Sequence, residues 1–188
     1  MDFENFHSYI ARMSEAASKV NQEPLDRLLH VIIDSDVNSR IFVCGNGGSA
    51  STAEHFSVDF TTGSRRFGRG LAVTCLSSNT SILTQIANDL DYSKIFAAQI
   101  ELEAKEGDLL VVFTASGNSP NVISAISQAS SQGLMTVAFT GFDGGTVKER
   151  VDIAIHVETP KGEYGLVEDI HLSLTHYLAE RFRLAFAR

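Results

Sequence analysis

Five short apolar runs, each too short for an ordinary helix, constrain the fold of this chain more than any other feature. They are Ile41-Phe42-Val43-Cys44, Leu71-Ala72-Val73-Thr74-Cys75, Leu109-Leu110-Val111-Val112-Phe113, Thr136-Val137-Ala138-Phe139 and Ile153-Ala154-Ile155-His156-Val157. A strand with one face in water alternates apolar and polar residues, whereas a near-continuous apolar run suits a strand buried on both faces. About 30, 33, 22 and 13 residues separate the runs, enough in each case for the crossover that parallel neighbours require. Strands alternating with helical patterns predict an α/β fold, a doubly wound five-stranded parallel sheet flanked by helices.

Helices are expected on both sides of that sheet region. Phe3, Phe6, Ile10, Met13, Ala17 and Val20 recur at spacings of three and four, a narrow stripe that fits a bundle or interface helix. After Pro24, residues Leu25, Leu28, Leu29, Val31, Ile32 and Ile33 form a second amphipathic stretch that breaks up near Asp36-Val37-Asn38. From Glu163 to Arg188 there is no Pro and no Gly beyond Gly165, and Val167, Ile170, Leu174, Leu178 and Phe182 keep a helical period, which predicts one long C-terminal helix. The chain therefore reads as a single domain over 1–188, with N-terminal helices at 1–38, a parallel-sheet core at 39–160 and the C-terminal helix at 163–188.

Composition narrows the partners. With 15 Lys and Arg against 23 Asp and Glu, the formal net charge is −8, so the surface as a whole repels nucleic acid and anionic lipid, and neither nucleic acid nor membrane is expected as a partner. No apolar run approaches the roughly 18 residues of a spanning helix, and Met1-Asp2-Phe3-Glu4 lacks a basic n-region. A cytoplasmic location follows. Cys44 and Cys75 each sit inside or at the end of an apolar run, which suits reduced core thiols better than a disulfide.

Two strands run into loops that could hold a phosphate. The first continues as Gly45-Asn46-Gly47-Gly48-Ser49-Ala50-Ser51, with a capping-box pattern at Ser51-Thr52-Ala53-Glu54; the second continues as Thr114-Ala115-Ser116-Gly117-Asn118-Ser119-Pro120, where Ser119 can cap a helix and Pro120 can open it. Helix N-termini at the carboxyl ends of parallel strands aim free N–H groups at anions. Neither loop has the P-loop lysine or the spaced dinucleotide fingerprint, so no nucleotide cofactor is expected, and a hydroxyl-rich loop without lysine suits a single phosphomonoester. The alternative is that these serines only cap helices and turn the chain.

Ionisable groups cluster on two of the predicted helices. His55 and Asp59 lie four apart and share a face one turn from the first loop. On the C-terminal helix, eight residues put Glu168 and His176 about 80° apart, so they can converge, whereas His171 is about 140° from His176 and should look elsewhere. Together His55, Asp59, Glu168 and His176 make an acceptable ligand set for zinc or another divalent ion. Two carboxylates in one cluster would raise one another's pKa, leaving one protonated and the other a base. Otherwise His55 and Asp59 are only a surface pair, and Asn88-Asp89 only a helix stop.

Cys44-Gly45-Asn46-Gly47-Gly48-Ser49, His55, Ala87-Asn88-Asp89, Ser116-Gly117-Asn118-Ser119, Thr140-Gly141 and Glu168-Asp169-Ile170-His171 with His176 together resemble the phosphoheptose isomerases of the sugar isomerase (SIS) domain family, in order and over essentially the whole chain. The resemblance implies a homotetramer with active sites at subunit interfaces, converting sedoheptulose 7-phosphate to a heptose 7-phosphate for surface-polysaccharide synthesis. It places Asn46, Gly47 and Gly48 along the sugar, Thr114, Ser116 and Ser119 on the phosphate, Ser49 among the substrate- or phosphate-binding residues, and Asn88 and Asp89 beside the substrate. It puts His55, Asp59, Glu168 and His176 among the catalytic and metal-binding groups, with Asp59, Glu168 and His176 as the catalytic set. Three positions depart from the family's usual pattern: Asp59 replaces Glu, Glu168 replaces Gln and Ala115 replaces Thr. An aldose–ketose isomerase is the leading expectation; a noncatalytic SIS module that binds a sugar phosphate or a protein such as a replication initiator, and an isomerase of another phosphosugar, are the alternatives.

Overall fold

A computed structural model describes residues 4–36, 38–65 and 70–186. Phe3 and Val37 of the predicted helical patterns, and Arg188 at the end of the last one, lie outside the described residues. Among the described residues, seven α-helices and five strands follow in the order α1 (Phe6–Ala17), α2 (Gln22–Asp34), β1 (Arg40–Gly45), α3 (Gly48–Arg65), β2 (Ala72–Cys75), α4 (Thr80–Asp89), α5 (Ala97–Glu103), β3 (Leu109–Thr114), α6 (Pro120–Ser131), β4 (Met135–Thr140), β5 (Ile153–His156) and α7 (Tyr164–Ala185). All strand pairs are parallel, in the order β2-β1-β3-β4-β5.

Both faces of the central strands β1, β3 and β4 are buried, which is why they read as unbroken apolar runs, whereas the edge strands β2 and β5 are only partly buried, contrary to the expectation that all five are covered on both faces. Ile41, Val43, Leu109, Val111, Phe113, Val137 and Phe139 face a core shared with α2, α3 and α7, through Leu28, Ile32, Phe56, Phe60, Leu178 and Phe182. Their neighbours Phe42, Cys44, Leu110, Val112 and Ala138 face a second core that includes Ile100 of α5 and Val122, Ala125 and Ile126 of α6. Cys44 is buried, Cys75 is partly exposed, and both are free thiols.

The apolar stripe of α1 behaves differently. Asn5 and Ser8 form a reciprocal cap at its start. Met13, Ala16 and Val20 pack on Val157, Leu166 and Ile170, yet Phe6 is 72% exposed and Ile10 39% exposed. The first helix thus buries one edge against α7 and leaves apolar surface uncovered on the single chain.

The strand order fixes where a ligand can bind. The chain leaves β1 toward β2 and leaves β3 in the opposite direction, so a crevice opens outside the carboxyl ends of β1 and β3, the topological switch point of an open sheet. Gly45, at the end of β1, lies opposite Phe113 in the register. The residues that follow these two strands therefore emerge side by side.

Candidate active site

At the switch point a cavity of about 90 Å³ is lined by Asn46 and Ser49 from the β1–α3 loop, Thr114, Ala115, Ser116 and Ser119 from the β3–α6 loop, Phe113 at its floor, and Tyr164 and Glu168 from α7. That volume is roughly three water molecules' worth of liquid, enough for a phosphate group but well below a whole small-molecule pocket of about 300 Å³ or more.

The second loop is held open by its own hydrogen bonds. The Thr114 hydroxyl accepts the Gly117 N–H at 3.1 Å, and the Ser116 hydroxyl accepts the Asn118 N–H at 3.3 Å. Asn118 donates back to the Ser116 carbonyl and accepts from both the backbone and hydroxyl of Thr146. Gly117 has φ +62°, and a Cβ there would stand 1.9 Å from the Gly144 carbonyl oxygen, so only glycine fits. Ser119 is the N-cap of α6 and Pro120 opens the helix as expected, but the Ser119 side chain makes no capping bond. Its hydroxyl and the Asn121 N–H are available to an anion, while the Val122 N–H is given to Asn121 Oδ1 and the Ile123 N–H to the Ser119 carbonyl.

The first loop carries an anion of its own. Helix α3 begins at Gly48, three residues before the predicted capping box, so Ser51 and Glu54 lie inside the helix and do not cap it. The Glu168 carboxylate occupies that helix terminus: it accepts a hydrogen bond from the Ser49 N–H, and a Cβ on Gly48 would stand 2.2 Å from Glu168 Oε2. Burial, reinforced by the negative charge of Asp169, raises the Glu168 pKa against the lowering effect of Ser49. Asp169 in turn accepts a 2.5 Å hydrogen bond from the Tyr9 hydroxyl, and Tyr9 is pushed up to about 12, chiefly by burial. Helix α1 is thereby fastened to α7 beside Glu168.

Three of the four expected metal ligands lie together. His55 Nε2 and His176 Nε2 are 2.8 Å apart, sharing a proton, and Asp59 Oδ2 lies 3.5 Å from His55 Nε2. One ligand atom from each can be chosen so that all three lie within 4.8 Å of one another. Two imidazoles and a carboxylate match the donor set of a catalytic zinc site that keeps a position open. Asp59 and His176 also line a 220 Å³ cleft between α3 and α7. Glu168 is not in this group, which corrects the expectation of one four-residue cluster. Its Cα is about 12 Å from that of His176 along the helix axis, and its carboxylate turns to Gly48. The charge that raises Glu168 is accordingly that of Asp169 and not that of Asp59.

The remaining candidates are distributed as follows. Gly47 and Gly48 shape the turn into α3 without lining the cavity. Asn88 and Asp89 are exposed at the end of α4, bonded to each other at 2.8 Å, and line neither cavity of the single chain, so here they act as a helix stop. His171 does look elsewhere: it is fully buried against Phe113 and Phe139, with Nε2 3.3 Å from the Thr140 carbonyl oxygen and its pKa lowered to about 4 by burial. Sequence reasoning missed Asn121, Tyr92, Tyr164 and Tyr9. Their roles depend on partners far away in the chain, and no local pattern marks them.

The SIS domain family matches residues 5–141. The phosphoheptose isomerase of Helicobacter pylori (strain P12) is 37% identical over 167 residues, 88% of this chain and 86% of the relative. The phosphoheptose isomerase of Aliarcobacter butzleri (strain RM4018) is 38% identical over 160 residues, covering 85% and 84% respectively. The solved structure of phosphoheptose isomerase GmhA from Neisseria gonorrhoeae superposes with a TM-score of 0.84 at 32% identity over 94% of each chain. With the switch-point cavity, the hydroxyl-lined loop and similarity along nearly its whole length, the chain belongs to the SIS domain family and, within it, to the phosphoheptose isomerases.

Proposed function

We infer that this chain isomerises sedoheptulose 7-phosphate to D-glycero-D-manno-heptose 7-phosphate through an enediol or enediolate. The observation that carries the reading is the pairing, in one small cavity, of a hydroxyl-lined helix N-terminus with a carboxyl group whose proton affinity is raised. The phosphate enters against Ser116, Ser119 and the Asn121 N–H at the start of α6, where the helix dipole favours negative charge. The sugar then extends outward, because the cavity holds little more than the phosphate.

Aldose–ketose isomerisation moves one proton between C1 and C2 and another between the two oxygens, with no net redox change. Glu168 carries the carbon proton: its raised pKa makes its carboxylate a stronger base than an ordinary one and its carboxyl a usable acid on the return step. His176, paired with His55, can move protons on the sugar oxygens as long as its ring nitrogen is not given to a metal. Asp59, His55 and His176 would hold a divalent metal, most simply zinc, whose contribution when bound is to polarise a substrate oxygen. The exposed Phe6 and Ile10 fit a homotetramer in which a neighbouring subunit covers the open side of the site and brings Asn88 and Asp89 toward it. Two free thiols and a phosphorylated substrate suit the cytoplasm; among the described residues no helix is long and apolar enough to cross a membrane.

The test is incubation of the purified protein with sedoheptulose 7-phosphate, with and without zinc, followed by NMR of the sugar. Wild-type conversion that falls at least about 100-fold in Glu168→Ala supports the assignment. No conversion by wild type, with the phosphosugar still bound, refutes the substrate; undiminished turnover in Glu168→Ala refutes the residue.

A further inference from the structure

Asn46 and Asn121 form a reciprocal amide pair between the two loops of the cavity: Asn46 Nδ2 donates to Asn121 Oδ1 at 2.9 Å, and Asn121 Nδ2 donates to Asn46 Oδ1 at 2.8 Å. Asn121 is 1% exposed, in the first turn of α6. The two ends of an amide have nearly the same shape, so its orientation must come from the partners. Here a backbone group decides it. The Val122 N–H, which can only donate, gives its proton to Asn121 Oδ1 at 3.0 Å. That fixes Asn121 Nδ2 toward Asn46 Oδ1 and so fixes Asn46 as well. The Tyr92 hydroxyl, 3.2 Å away, donates to the same Asn46 oxygen, consistent with this orientation.

An amide has two acceptor lone pairs and two N–H donors. Asn121 and Tyr92 use both lone pairs of Asn46 Oδ1, and Asn121 uses one N–H. What Asn46 has left is one N–H, on a residue that lines the cavity. We propose that Asn121 is a positioning residue that locks Asn46 so that it presents a donor, never a carbonyl, to the ligand, selecting an oxygen that only accepts: a phosphate oxygen or a carbonyl or enediolate oxygen. A hydroxyl at that position could satisfy the N–H too, but it would have to send its own proton elsewhere. The pair also ties the β1 loop to the start of α6, so the donor keeps its place relative to the Ser119 hydroxyl and the Asn121 N–H.

The proposal takes its substrate from the isomerase reading, and the experiment separates the two. A double-mutant cycle of Asn46→Ala and Asn121→Ala is read twice, in kcat/KM for sedoheptulose 7-phosphate and in the Kd of inorganic phosphate. The expected result is a loss of about tenfold in at least one readout on Asn121→Ala when Asn46 is present, the scale of one hydrogen bond to a charged oxygen, and less than about twofold in the Asn46→Ala background. Asn46→Asp, which keeps the shape but replaces both Nδ2 N–H groups, the free one and the one given to Asn121, with an oxygen, is expected to lose at least as much as Asn46→Ala. Tyr92→Phe provides a second variant, because Tyr92 is 59% exposed and its loss leaves the fold intact; its smaller effect is expected to vanish in the same way. Equal losses on Asn121→Ala in both backgrounds, or an Asn46→Asp enzyme better than Asn46→Ala, overturn the proposal. Wild-type protein that binds phosphate but leaves the heptulose unconverted refutes the isomerase reading alone, and the phosphate cycle still decides the role of Asn121.

Discussion

Gly48→Ala is predicted to separate stability from activity, because the space its new methyl needs is taken by the movable side chain of Glu168, the proposed proton carrier. The added Cβ would stand 2.2, 2.4 and 2.6 Å from the Oε2, Cδ and Oε1 atoms of Glu168. Contacts under 3.0 Å are not tolerated, so the carboxylate must retreat by nearly an ångström or more. Retreat is cheap for the fold, since Glu168 is the free end of a flexible side chain. Gly48 is the first residue of α3, where Ala is the better helix former by up to about 1 kcal/mol in a helix interior and by less at the first turn. The melting temperature should stay level or rise, by no more than about 2–4 °C for a domain of this size. The chemistry has no such freedom. The retreat breaks the Ser49 N–H bond that anchors Glu168, and a misplacement of about 1 Å at a reacting group can cost on the order of 100-fold. Thermal unfolding measured beside kcat/KM on sedoheptulose 7-phosphate gives both numbers. A Gly48→Ala enzyme with wild-type kcat/KM would show that the Glu168 carboxylate is not needed where the structure puts it, and would refute the assignment.

Other perturbations test other parts of the site. Ser119→Ala should raise KM by about tenfold or more with little change in melting temperature, since its hydroxyl makes no capping bond; unchanged affinity for phosphosugar would contradict the phosphate assignment. His171 is fully buried with a folded pKa of about 4 against 6.5 for the free side chain, so the unfolded chain binds more protons between these values and stability rises with pH across that window. Acidification from 6.5 toward 4 should therefore remove about 3 kcal/mol that His171→Gln does not lose, as followed by urea titration at each pH. Replacing both Phe6 and Ile10 with Glu should dissociate the assembly in sedimentation at micromolar concentration while leaving far-UV dichroism unchanged; a wild-type protein that sediments as a monomer would rule out the tetramer.

The α/β class, the five parallel strands and the long last helix were legible in the sequence because each rests on local periodicity. A strand buried on both faces must be apolar at every position, and α7 must repeat its buried residues every three to four. The hydroxyl-rich loop from Thr114 to Ser119 was legible for a similar reason, as turn chemistry is written in neighbouring residues. Helical arithmetic also separated His171 from His176 correctly, because both are on one rigid rod.

Tertiary structure decided everything that depends on how separate elements meet. Strand order, which puts the switch point between β1 and β3, has no local signature. Angles around a helix gave Glu168 and His176 a common face, but the rise of about 1.5 Å per residue sends one to the start of α3 and the other to His55, two turns farther on. The sequence therefore established which groups were available for chemistry. Only packing divided them into a carboxyl beside the switch-point cavity and a His-Asp-His set apart from it, because burial, neighbouring charge and the choice of hydrogen-bond partner are properties of distance in space and not of distance along the chain.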